Sequence, residues 1–139
     1  MEAAVLERTL TELDHIRLTR LVQRAAGSAL AQANHPLCKL LDAADVVPSQ
    51  AIPRDVVTMN SRVELWDPAT EQCSTMTLRY PADADPASGA VSVMSPLGME
   101  LLGLPAGSTV RWGTADGRSH GAALVSVLFQ PEAAGDYLA

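Results

Sequence analysis

Apolar residues change their spacing once along this chain. Before Val47-Pro48-Ser49 they recur every three or four positions; beyond Pro53 the period becomes two. Leu18, Leu21, Val22, Ala25 and Ala29 line one helical face. Thr11 followed by Asp14 supplies a capping-box-like start, and Gly27-Ser28 weakens the helix locally. Asn34-His35-Pro36 signals a second helix. Proline suits its first position, where an N–H has no intrahelical partner, and Asn34 or His35 supplies the cap. Leu37, Leu40, Leu41 and Ala44 form its apolar face, and Val46-Val47-Pro48 ends it. The pair predicts a short antiparallel helical hairpin, either a projecting arm or a cover for the sheet beneath. A second helix of about ten residues limits a paired arm to ~15 Å.

The later pattern predicts strands over 57–66, 75–80, 90–94, 109–112 and 122–129. Between the third and fourth, Ser95-Pro96-Leu97 opens one short helix that Gly103 closes. The class is α+β: a helical hairpin over 1–47, then a twisted antiparallel sheet around one short helix over 48–139. Because the two apolar patterns are separate, the C-terminal part is expected to fold without the hairpin.

Composition narrows the function. Of 139 residues 47% are apolar and 19% charged, which excludes wholesale disorder. Phe129, Trp66, Trp112, Tyr80 and Tyr137 are too few to build a deep aromatic pocket. Ten basic against sixteen acidic residues give a net charge of −6. Residues 48–139 carry five arginines against ten acids, a balance that repels nucleic acid and favours a basic protein partner. No apolar run approaches the ~18 residues of a membrane span, and Met-Glu-Ala-Ala does not start a signal peptide. Cytoplasmic residence is the expectation, and the isolated Cys38 and Cys73 agree with a reducing compartment.

Local spacing assembles no catalytic centre. Asp83-Ala-Asp85 starts like a calcium loop, but Ala87, Ser88 and Met94 stand where ligand, glycine and glutamate belong. No Lys-Ser or Lys-Thr follows Gly103 or Gly107. His15, His35 and His120 are dispersed. No metal or cofactor is expected.

Several segments resemble one family. Asp55-Val-Val-Thr-Met-Asn-Ser-Arg-Val-Glu64 is similar to the first-strand signature of the Rnk-type regulators of nucleoside diphosphate kinase. Thr77-Leu-Arg-Tyr-Pro-Ala82, Val91-Ser-Val-Met-Ser-Pro-Leu-Gly98, Leu101-Leu-Gly-Leu104 and Phe129-Gln-Pro-Glu-Ala-Ala-Gly-Asp-Tyr-Leu138 resemble it too. The Ser-Pro-x-Gly-x-x-Leu-Leu-Gly pattern also resembles the wider Gre transcript-cleavage factors. The resemblance implies an FKBP-like C-terminal domain, an N-terminal antiparallel coiled coil, and binding to bacterial RNA polymerase near its secondary channel. Gre factors carry two acidic residues at the coiled-coil tip that help hold a catalytic magnesium ion. Here Ala31-Gln-Ala-Asn-His-Pro36 has no carboxylate, and the nearest acid, Asp42, lies inside the second helix. The expectation is a non-catalytic, polymerase-binding regulator that competes with Gre-type factors. Asn34 and His35 at the tip and Ser95, Pro96 and Leu97 at the short helix are its candidate contacts. Each has a plainer reading as a cap or core residue. Direct modulation of nucleoside diphosphate kinase and transcript cleavage are the alternatives.

Overall fold

The computed structural model describes residues 8–114 and 116–137. Strand β1 (Thr9–Thr11) runs straight into helix α1 (Glu12–Ala26). The Thr11 hydroxyl accepts the Asp14 N–H at 3.0 Å, and Asp14, Leu18 and Val22 form the buried stripe. Gly27, at φ +76°, terminates the helix in the left-handed conformation. The continuous helix expected through Ala29 is therefore broken. Ser28 caps a separate helix, α2 (Ala29–Asn34), which buries none of its residues. Helix α3 (Pro36–Ala43) follows and buries Leu37 and Leu41, and strand β2 (Asp45–Val47) returns parallel to β1. The sequence pattern did not show this parallel pair, because each strand has only three residues.

Strands β3 (Arg62–Asp67), β4 (Gln72–Arg79), β5 (Ala90–Ser92), β6 (Thr109–Gly113) and β7 (Ser119–Phe129) form one sheet in the order β5-β4-β3-β7-β6. The expected all-antiparallel sheet needs one correction: β5 pairs parallel to β4. The long 80–89 connection carries the chain back to Thr77, so that β5 runs beside the last three residues of β4, which a tight hairpin could not do. Residues 57–61, expected as the start of a strand, instead form a buried turn with Asn60 at φ +68°. Helix α4 (Pro96–Leu101) packs against β6 and β5.

The helices lie against this sheet. Leu10, Leu18, Val22, Leu37 and Leu41 share one core with Val63, Leu65, Leu78, Leu101 and Leu124. Of the two arrangements the sequence allowed, α1 and α3 adopt the covering one, and α2 with the preceding turn makes up the exposed end. Trapped polar groups also join the parts. The Asp14 carboxylate accepts the Met59 N–H at 3.1 Å, and Thr9 N–H donates to the Gly103 carbonyl at 3.0 Å.

Candidate interaction site

The expected contact residues lie at the junction of α2 with α3 and at the start of α4. Asn34 is the exposed last residue of α2. His35 is half-buried, and its Nδ1 accepts the Leu37 N–H at 3.1 Å, capping α3. The tip is neutral: Ala29-Leu-Ala-Gln-Ala-Asn34 contains no charge, and Leu30 is 75% exposed. Asp42 sits in the last turn of α3, away from the tip, and accepts a long contact from Cys38 Sγ at 3.9 Å. Among the described residues no group of three or more His, Cys, Asp or Glu side chains gathers to hold a metal.

At the second start, Ser95 Oγ accepts the Gly98 N–H at 3.1 Å and donates to the Ser92 carbonyl at 2.6 Å. Pro96 is exposed at the first helical position, and Leu97 packs partly buried against the core. A Cβ on Gly98 would lie 1.9 Å from the Ser92 oxygen, so glycine is what lets α4 sit this close to β5. Among the described residues no hydrogen bond joins the tip to the α4 start.

What holds the second segment in place is Arg8, which the sequence reading passed over. Its Nη1 donates to the carbonyls of Met99, Glu100 and Leu102 at 3.1, 2.9 and 2.8 Å. Its Nη2 lies 3.6 Å from Glu100 Oε1. A cation at a helix C-terminus satisfies orphan carbonyls and meets the favourable end of the dipole. Burial lowers the Arg8 pKa, and Glu100 opposes that shift.

A buried polar seam was also missed. Thr58 Oγ1 donates to Glu132 Oε1 at 2.7 Å and lies 2.9 Å from Ser61 Oγ. Burial pushes the Asp14 carboxyl up to about 7; the Met59 N–H opposes this, Glu132 adds to it and Arg17 opposes it. Burial likewise pushes the Tyr80 phenol up to about 12. The available signal was the polar Thr58, Asn60 and Ser61 at the start of the expected strand, where the apolar alternation fails. These groups bind the α1 start to the sheet and face inward, so they support the site without forming a contact surface.

Comparison with known proteins places the whole arrangement. The family model for the C-terminal part of the transcription elongation factors GreA/GreB matches residues 52–128. The regulator of nucleoside diphosphate kinase of Escherichia coli (strain K12) is 36% identical over 129 residues, covering 93% of this chain and 94% of that one. Transcription elongation factor GreA of Desulfovibrio desulfuricans is 34% identical over 65 residues, covering 47% of this chain and 40% of its own. The solved GreA/GreB elongation factor of Nitrosomonas europaea superposes with a TM-score of 0.72 at 30% identity, covering 90% of this chain and all of that one. The chain belongs to the GreA/GreB family, in the branch of the regulators of nucleoside diphosphate kinase.

Proposed function

We propose that this protein is a non-catalytic regulator that binds RNA polymerase near its secondary channel and competes there with Gre-type factors. The observation that carries the reading is the neutral tip on a GreA/GreB-family chain. Magnesium takes oxygen ligands and is usually bound through one or two carboxylates, and residues 29–36 offer none. Occupancy, not metal chemistry, is then what the tip supplies. Residues 1–47 act as the channel-facing unit, a short coiled-coil hairpin, and 48–139 as the docking unit, an FKBP-like sheet around α4. The two units share one core. Asn34 and His35 meet polymerase at the tip; Ser95, Pro96 and Leu97 meet it at the α4 start. The cytoplasm is where such a protein works.

The test is competition on a backtracked elongation complex. The full chain is expected to bind core polymerase and suppress cleavage stimulated by a Gre factor, with no stimulation of its own. His35→Asn keeps a capping side chain and should weaken competition while leaving the melting temperature near wild type. Cleavage stimulated by the purified chain alone overturns the reading. A second reading rests on the name of the Escherichia coli relative: direct contact with nucleoside diphosphate kinase. Co-purification with that kinase, in the absence of polymerase, would favour it.

A further inference from the structure

The sheet carries a basic concavity on the face turned away from its core. Along β3, Arg62 alternates with the buried Val63 and Leu65, so it stands on the outer side. Its cross-strand partners are Thr77 on β4 and Phe129 on β7. With Asn60, Arg79 and the turn at Ser88-Gly89 these residues line an open hollow of about 550 Å³. That volume is in the range of small-molecule sites, roughly 300–1,000 Å³.

The hollow's charge runs against that of the whole molecule. The chain carries −6, yet two of the five arginines in 48–139 meet on this wall, against one acid, Asp136. Arg62 is exposed, and no ion pair holds it among the described residues. Arg79 Nη1 donates to Asn60 Oδ1 at 3.1 Å. That neutral amide orients the guanidinium without cancelling its charge. Gly89, at φ +83°, leaves the backbone bare where the turn meets β4, and its carbonyl accepts the Thr77 N–H at 2.8 Å.

We propose that this hollow binds a mononucleotide, its phosphates on Arg62 and Arg79 and its base against Phe129. Guanidinium forks match phosphate oxygens in bidentate geometry. Phe129 is 42% exposed, which leaves a ring face for a base. None of Asn34, His35, Ser95, Pro96 and Leu97 lines the hollow, so nucleotide binding is tested apart from polymerase binding.

The test is a titration of the full-length, isotope-labelled chain with ADP, AMP, adenosine and inorganic phosphate, followed by amide NMR. ADP is expected to shift the amides of Gly89 and of residues 75–79 in a saturable way, with adenosine inert and inorganic phosphate weaker. Arg62→Ala should weaken ADP at least tenfold, and Arg62→Lys should recover part of the loss. Because Arg62 is exposed, its variants are expected to stay folded, which the unshifted remainder of the spectrum verifies. Three results would overturn the assignment: no shift with ADP at about 5 mM, where even weak sites fill; an affinity unchanged in Arg62→Ala; or inorganic phosphate binding as tightly as ADP.

Discussion

Asp14 combines two demands that pull its proton in opposite directions. Its carboxylate accepts the Met59 N–H, which favours charge, while burial disfavours charge and wins, raising the pKa from 3.8 to about 7. An unfolded aspartate titrates near 3.9, so between about pH 4 and 7 the folded chain holds a proton that the unfolded chain has released. This contribution is full below about pH 4 and falls as pH rises toward 7, by up to about 4 kcal/mol, levelling off above. Asp14→Asn keeps an oxygen for Met59 N–H and removes the titration. Urea unfolding of both proteins at several pH values should show the variant gaining stability relative to wild type from pH 5 to 7.5. A constant difference across that range would show that Asp14 titrates normally.

Helix α4 shows how a very short element is secured at both ends. Six residues cannot sustain a helix by propensity alone. Ser95 satisfies the first turn, and Arg8, from the far end of the chain, satisfies three carbonyls at the last. Its side chain is 13% exposed, so little solvent is available to take over those bonds. Arg8→Met keeps much of the aliphatic stem and loses the donors, at an expected cost of about 2 kcal/mol. Chemical denaturation measures that cost. A change below about 0.5 kcal/mol, the scale of an ordinary surface substitution, would mean that water replaces the cap.

The shared core changes what removal of the hairpin should do. Separate apolar patterns led to the expectation that 48–139 folds alone. In the structure, Leu10, Leu18, Val22, Leu37 and Leu41 are each no more than 3% exposed and belong to the sheet's cluster. Each buried aliphatic side chain contributes about 1.5–3 kcal/mol, and five of them rival the ~5–15 kcal/mol that keeps a typical domain folded. The fragment also loses the partner of the Met59 N–H. Fragment 48–139 is therefore expected to melt without a sharp transition and to bind hydrophobic dyes. A cooperative melt within a few degrees of the full chain would show that the sheet is self-sufficient.

Local chemistry made much of this protein legible in its residues alone. The α+β class, the caps at Thr11, His35 and Ser95, and the period-two alternation of β3, β4 and β7 are carried by short stretches of residues, which a linear pattern records. The family signature was legible as well, because its motifs are contiguous. The neutrality of the tip needs no coordinates. Long-range pairing decided the rest. Nothing near Ala90 marks β5 as parallel to β4, since direction depends on the path of the loop between them. Arg8 reads as one more charge until α4 ends beside it, 91 to 94 residues away. Asp14 read as a cap partner, and only its closure against Met59 and Glu132 made it a buried acid. Arg62, Arg79 and Phe129 lie far apart in the chain, and the register of three strands makes them neighbours. Burial and strand register are properties of the folded whole, and they decide which polar residues lose water and which meet.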